Sequence, residues 1–522
     1  MAMALPLTTG YQMEIPAYIH VGRCWPEVDK LSPCEAACPL HQDVPNYVMA
    51  IAQGNPKQAL AIIRESNPLP SVCGRVCHHP CEAECNRKVV DSPIAIEWLK
   101  RSAADWGNGG KSSPVPRIKE KRVAIIGSGP AGLTAAHDLA RKGYGATIFE
   151  ASSIPGGILS SAIPDFTLPP EAVQADIDYI KGLGVRIHTN VRIGKDLSLG
   201  GLWQQGYQAI LIAIGLQKSA ELTIPGADLP GIFSALPFLK AVKLGHLPAL
   251  KGKVWVIGGG NTALDAARTA LRLGAEEVHI GYRRTRADMP AFKEKIEAAE
   301  KEGVRLHTSL DPQQFISRDG SHLDTIKFKR VASSYIDSEG RRILTLMTGP
   351  ASDYNVDADA VIIATGEAPD LSGMLGESLN ISSAGGLVVN EPTLETNIPG
   401  IFAAGDISAT GGTVTDAMAA GRRAATSIDQ YLSEIPIAAV RESRGTITIA
   451  PEQVPDFFTR KARWEMPQLL PKEAIRVFRE VDLGYRDWQA IEEARRCLNC
   501  RMCASCIFER GQLCFETAHR VL

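Results

Sequence analysis

Two hydrophobic patterns follow one another along this chain. Between Val48 and Trp106 the apolar positions recur at helical spacing in short pieces: Val48, Ile51 and Ala52, then Lys57 to Glu65, then Ile94 to Trp106. They predict a small helical unit. From Lys121 onward, short solid apolar runs closed by glycine alternate with helical patterns, which predicts buried parallel strands in an α/β core. Val123 to Ile126 meets Gly127-Ser128-Gly129-Pro130-Ala131-Gly132, and Leu133, Ala136, Leu139 and Ala140 then share one helical face. The next strand, Ala146 to Phe149, ends on Glu150. The pattern returns at Lys253 to Gly260, followed by Asn261, Thr262 and Ala263, and its second strand, Glu277 to Gly281, ends on Tyr282-Arg283-Arg284. Ala209 to Ile214 and Ala360 to Ala364 are further strands ending in glycine turns, and Ile401 to Ala404 runs into Gly405-Asp406 before a helix from Val414 to Tyr431.

The organisation this predicts is α/β: two Rossmann-like dinucleotide-binding domains, the second inserted in the first, with an N-terminal helical domain and a C-terminal cysteine-rich segment. The boundaries fall at 1–106 for the helical domain and its irregular lead-in, and at 107–120 for a Gly/Ser/Pro linker. The first nucleotide domain takes 121–250 and 356–432, the second 251–355. A proline-rich strap covers 433–486, and the cysteine-rich segment covers 487–522.

Composition narrows the class. The 522 residues are 45% apolar and 22% charged, with a net charge of −2, which leaves no basic field to attract nucleic acid. No uninterrupted apolar run reaches membrane-spanning length, and Met1 to Gly10 does not read as a signal peptide, so the expected location is the cytoplasm. The 12 cysteines change the picture most: seven lie from Cys24 to Cys85, five from Cys497 to Cys514, and none between Asn86 and Arg496. Staples of a secreted fold would be spread out, so the clustering points to metal.

Each motif has a chemistry. In the first, Gly127, Gly129 and Gly132 allow a tight turn and close approach of a pyrophosphate, which the start of the helix at Pro130 and Ala131 attracts, while Glu150 stands where an acid meets ribose hydroxyls. In the second, Gly258, Gly260, Asn261 and Thr262 repeat the cradle, and Arg283 and Arg284 in place of a terminal acid suit the 2′-phosphate of NADP(H) better than the free ribose of NAD(H). Gly405 and Asp406, third in order, suit the ribityl or pyrophosphate part of a flavin nucleotide. Cys497, Cys500, Cys503 and Cys506, with Cys514 competing for the last place, match the opening spacing of ferredoxin-type sites; structural zinc on two CxxC pairs is the alternative. Cys34, Cys38, Cys73, Cys77, Cys81 and Cys85 recur in steps of four and fit one cluster and part of a second. Seven and five thiols leave room for two to three 4Fe-4S clusters. His41, His78 and His79 read better as solvated or capping residues than as ligands.

Taken in order, CEAACP, NPLPSVCGRVCHHPCEAEC, IGSGPAGL, GGILSSAIPDFTLP, VIGGGNTALDAAR, YRRTRADMPA and IFAAGDI resemble the NAD(P)H-dependent flavoproteins typified by the glutamate synthase small (β) subunit. The same group includes the large subunit of NADH-dependent ferredoxin:NADP oxidoreductase and the N-terminal half of dihydropyrimidine dehydrogenase. The resemblance implies FAD on Gly127, Gly129, Gly132 and Glu150, with Gly156, Gly157 and Asp406 completing its site, and the nicotinamide dinucleotide on Gly258, Gly260, Asn261, Arg283 and Arg284. It implies Cys38, Cys77 and Cys81 at a cluster nearer the flavin, and Cys34 and Cys85 at a distal one. Two departures bear on the distal cluster. The RCLxC phrase that relatives carry before the first CP cysteine stands here at Arg496 to Cys500, after Leu483-Gly484-Tyr485 and Glu492-Glu493-Ala494, and leaves Cys24 isolated. The glutamate that several relatives use as a non-cysteine ligand is Lys100 here, and Cys73 is a candidate for its place.

The expected function is electron transfer between NAD(P)H and iron–sulfur clusters through FAD, to or from a partner oxidoreductase subunit or ferredoxin-like protein, with no proton-transfer residue required. A stand-alone reductase of a small acceptor is the nearest alternative. A thiol–disulfide reductase would share the two-dinucleotide core but needs a CxxC facing the flavin, which the cysteine-free core lacks. A non-catalytic assembly subunit with structural zinc would not need two intact glycine turns.

Overall fold

The computed structural model describes residues 30–107, 112–246, 250–336, 342–374, 378–408, 410, 412–437, 445–446, 448–451 and 460–500. Cys24, Cys503, Cys506 and Cys514 lie outside them. The helical unit consists of α1 (Val44–Ala52), α2 (Pro56–Ser66), α3 (Pro70–Val76) and α4 (Ile96–Trp106). Proline opens α2 and α3, where its missing N–H costs nothing, and the carboxylate of Asp43 and the amide oxygen of Asn55 cap α1 and α2 by accepting the Asn46 and Gln58 amides. Tyr47, Val48, Ile51, Ile63, Ile94 and Leu99 form the interior.

The first sheet begins with β1 (Arg122–Ile126), α5 (Pro130–Arg141), β2 (Gly145–Phe149), β3 (Arg186–His188) and β4 (Ala209–Ile212). The second contains β5 (Ile232–Ser234), β6 (Lys253–Ile257), α6 (Asn261–Arg272), β7 (Glu277–Tyr282), β8 (Arg305–Thr308) and β9 (Ala360–Ile363). The chain then returns to the first through β10 (Ile401–Ala403) and α7 (Val414–Leu432). The strand orders are β10-β4-β1-β2-β3 and β8-β7-β6-β9-β5, parallel throughout. Solid apolar runs at β1, β4, β6 and β9 follow from burial on both faces. The second sheet takes more chain than the 251–355 expected for it: β5 and β9 both hydrogen-bond within it.

The last described helix, α8 (Asp487–Ala494), is not a separate segment. Tyr485, Ala490 and Ala494 are buried in the core of the N-terminal helical unit, and the Glu493 carboxylate accepts the Ala95 amide at 2.9 Å. The described part of the cysteine-rich segment expected at 487–522 therefore packs into the helical unit. Its charged sequence carried too few apolar side chains for a core of its own, and those it has complete another.

A buried ion group inside the second domain orients an arginine that reaches the rest of the chain. Arg268 and Arg272 of α6 meet the Glu302 carboxylate at 2.6 and 2.7 Å. Arg272 also lies 3.8 Å over the ring of Phe166, from the first domain, and donates to the carbonyl of Val477 in the strap at 3.1 Å. Burial pushes Glu302 up, but hydrogen bonds from Arg272 and Arg268 outweigh it and hold the carboxyl below its usual 4.5. Its stabilising contribution is therefore present above that pH and lost as pH falls through the lowered value. E302A, which leaves two buried cations with no anion, is expected to lose about 3–5 kcal/mol in urea unfolding at pH 7. The gap between wild type and E302Q should be constant at neutral pH and close below 4.5.

Candidate cofactor cleft and cysteine sites

At the first turn Gly127 has φ +102°, and a Cβ there would lie 2.5 Å from the Ala213 carbonyl oxygen, so no other residue fits. Gly129 differs: its backbone is extended, and a Cβ would meet nothing within 4 Å. The first amides of α5 have no side-chain cap and stand beside this open space. Glu150, at the end of β2, accepts from the Ser128 amide (3.0 Å), the Ser128 hydroxyl (2.5 Å) and the Ser152 amide (2.8 Å). The Gly156 amide in turn donates to the Ser128 hydroxyl at 2.9 Å. Ser128, which sequence reading passed over as the variable residue of the turn, therefore fixes both the acid and the Gly156-Gly157 loop.

A single cavity of about 1180 Å³ opens from this turn. It is lined by Gly129, Pro130, Ala131, Glu150 and Gly157, passes Gly405 and Asp406, and reaches Gly258, Gly260 and the two arginines. Burial pushes the Asp406 carboxyl up, and its Oδ1 accepts the Gly412 amide at 2.9 Å. The second turn repeats the first: a Cβ on Gly260 would meet nothing within 4 Å, and α6 starts without a side-chain cap. Asn261 and Thr262 hold loops, with Oδ1 of Asn261 accepting the Phe292 amide at 3.1 Å and Thr262 donating to Glu367 at 2.7 Å. Arg283 and Arg284 line the far end, and Nε of Arg284 is buried with no hydrogen-bond partner. Two cradles open at the position of closest approach, joined by one cleft and ending at a buried guanidinium N–H with no acceptor, fit two dinucleotides, one of them phosphorylated.

The cysteines divide between two cores. Cys38, Cys73 and Cys77 are buried in the cluster that contains the first sheet and α5. Cys81 and Cys85 belong to the helical core, against which Cys34 and Cys497 pack. Cys500 is buried beside Val90, Leu498 and Ile449, and its sulfur accepts from the Asn86 side chain at 3.4 Å. Burial pushes the thiols of Cys34 and Cys497 up, and each is raised further by Cys85 and Cys500. Cys34, Cys85, Cys497 and Cys500 thus form one group with contributions from both ends of the chain. Expectation had a separate C-terminal set; the described half of it faces the N-terminal cysteines, because α8 packs into their core. The displaced RCLxC phrase therefore stands beside Cys34 and Cys85.

Lys100 sits with the other group. Burial alone would lower it, but Cys77, Cys73, Cys81 and Cys38 hold it above its usual range. Its departure from the expected glutamate belongs to the flavin-side set, not the distal one, since α4 lies directly on α3. Val76 lines the cleft, so Cys77 stands one residue behind its wall. His78, read as a solvated or capping residue, joins three parts: it contacts the Thr415 hydroxyl at 3.2 Å and stacks on Phe292 at 6.0 Å. The HHP step gave no signal of this, since its partners are hundreds of residues away.

Comparison with known proteins agrees with this geometry. Residues 121–423 match the pyridine nucleotide-disulphide oxidoreductase family, and residues 8–111 the dihydropyrimidine dehydrogenase domain II, 4Fe-4S cluster. The chain is 38% identical over 505 residues to the NADP(+)-dependent formate dehydrogenase subunit beta of Moorella thermoacetica, covering 90% of this chain and 70% of that one. It is 36% identical over 512 residues to the NADPH-Fe(3+) oxidoreductase subunit beta of Geobacter sulfurreducens (91% and 76%). With the glutamate synthase [NADPH] small chain of Escherichia coli the identity is 32% over 419 residues (76% and 88%). Mycobacterium tuberculosis FprA in complex with NADPH shares the fold of the nucleotide domains, with a TM-score of 0.52 over 60% of this chain and 85% of that one, at 19% identity. Among the described residues no helix is long and apolar enough to cross a membrane.

The open space at Gly129 separates binding from folding. G129V is expected to keep the urea stability of the flavin-free protein within about 0.5 kcal/mol and to lose flavin absorbance after gel filtration. G127A, which meets the Ala213 carbonyl, should lose both.

Proposed function

This chain belongs to the pyridine nucleotide-disulphide oxidoreductase family, and we propose that it is the electron-transfer subunit of a cytoplasmic complex, exchanging electrons between NADPH and a partner catalytic subunit through FAD and two 4Fe-4S clusters. It is an NAD(P)H-dependent FAD and iron–sulfur oxidoreductase. One observation carries the reading: the two glycine cradles share a cleft whose wall at the first cradle is Val76, next to Cys77.

FAD supplies the conversion between hydride transfer and single-electron transfer. The protein supplies position. Gly127, Gly129, Gly132, Glu150, Gly156, Gly157, Gly405 and Asp406 hold the flavin nucleotide, and Gly258, Gly260, Arg283 and Arg284 the NADPH. Cys38, Cys77 and Cys81, with Cys73, hold the flavin-side cluster; Cys34, Cys85, Cys497 and Cys500 hold the distal one. Bound at these cysteines, the clusters would carry single electrons. No acid or base in the cleft is needed for that exchange.

The thiol–disulfide alternative is disfavoured because no cysteine lines the cleft among the described residues. The relatives named as β subunits support a partner that carries the terminal reaction, in either direction of flow.

Anaerobic purification with metal and flavin analysis tests the reading: about eight irons per FAD are expected, and C497S/C500S should keep the flavin and lose about half of the iron. Zinc in place of iron, or no flavin absorbance, rejects it. For cofactor choice, R283A/R284A should lower kcat/KM for NADPH by about tenfold or more while leaving NADH little changed. Equal losses would show that the pair does not read the 2′-phosphate.

A further inference from the structure

Lys100 is 2% exposed, and among the described residues it makes no ion pair with a carboxylate. Arg101 pairs with Asp105 and Glu480 and donates to the Asp482 carbonyl, and Glu97, one turn before, lies 3.7 Å from His79. The level of Lys100 in the fold is fixed, because α3 and α4 touch backbone to backbone: a Cβ on Gly74 would lie 2.5 Å from Cα of Arg101. That contact sets Lys100 beside Cys73 and Cys77, and the side chain has no route to solvent. A buried cation without an anion is costly enough that proteins pair or neutralise it. The groups at hand are the Glu97 carboxyl one turn before, which burial pushes up and Lys100 pulls down, the Cys38 thiol, and the thiols of Cys73, Cys77 and Cys81, which burial keeps protonated until a metal takes them as thiolates.

We propose that Lys100 is the resident counter-cation of the flavin-side cluster, which takes its fourth thiolate from Cys73, and that the lysine raises the potential at which this cluster accepts an electron. The inference rests on the proposed function and adds to it the residue that makes this cluster the first acceptor. A 4Fe-4S cluster on four thiolates carries net negative charge and gains one more on reduction, so a fixed positive charge beside it favours the reduced form. The step adds one electron from the reduced flavin, with no bond made or broken and no proton required. Cys73 is suited to be the ligand. It is fully buried, in the same core as Cys38 and Cys77, and its sulfur lies 3.4 Å from that of Met418 on α7, facing the flavin domain.

The test is an EPR-monitored redox titration of the full-length holoprotein, wild type against K100M and K100Q, with iron and FAD measured on each sample. With wild-type iron content, both variants should show one of two cluster signals titrating at lower potential, the reduced-to-oxidised ratio at a fixed potential falling by about tenfold or more. The other signal should not move. C73S should lose iron from the signal that moves and leave the other intact. A variant with full iron and an unchanged or raised midpoint overturns the proposal. So does loss of one cluster from both variants with flavin retained, because Lys100 would then hold the cluster and not tune it. Wild-type protein without iron would instead reject the reading beneath it.

Discussion

The arrangement depends on one close approach, where α7 crosses α5. A Cβ on Gly421 would stand 2.1 Å from the Ala131 carbonyl oxygen, so the two helices meet with no side chain between them. Ala131 belongs to the first glycine turn, and α7 touches the helical unit along the same face. Met418 meets Cys73, Thr415 meets His78, and Arg422 bridges Asp138 of α5 at 2.8 Å and the Glu65 carbonyl. A larger residue at 421 would push apart the flavin cradle and the cysteines together. The spacing between two cofactor types is thus set by backbone contact, which is stiffer than any hydrogen bond in the cleft. A second attachment reinforces it: the buried carboxylate of Asp176 accepts the Val72 amide at 3.0 Å, one residue before Cys73.

Much of this was legible in the chain. Solid apolar runs gave the parallel strands, and the glycine turns gave both cradles, because a tight turn under a pyrophosphate leaves few residue choices. Arg283 and Arg284 could be placed on the cleft because they follow directly on the end of a strand. What could not be read was pairing at a distance. Nothing local tells Cys497 that it faces Cys34, or Lys100 that its neighbours are thiols. The sheet boundaries at Ile232 and Ala360 failed for a related reason, since a short buried strand carries no mark of which sheet it joins. Asn261 and Thr262 matched a cofactor motif by position, but their side chains hold Phe292 and Glu367.

The second nucleotide domain is held at a fixed attitude. Arg272 contacts Glu302 in its own domain, Phe166 in the first and Val477 in the strap. A hinge between the sheets would have to lift Phe166 off the Arg272 guanidinium and break its hydrogen bond to the Val477 carbonyl. Both contacts oppose rotation of one sheet against the other.

The distal cysteine group draws on positions 34, 85, 497 and 500. Ribosomes add on the order of 5–20 residues per second, so roughly 20–80 seconds separate the emergence of Cys85 from that of Cys497. Throughout that interval the helical unit lacks α8, and its core is open on the side that Tyr485, Ala490 and Ala494 will fill. Half of the cysteine group is on hand from the start, yet it cannot assemble until α8 has been made. Completion of this group thereby reports on the polypeptide itself, because a chain that stalls or is cut before α8 has no way to bring Cys497 and Cys500 to Cys34 and Cys85.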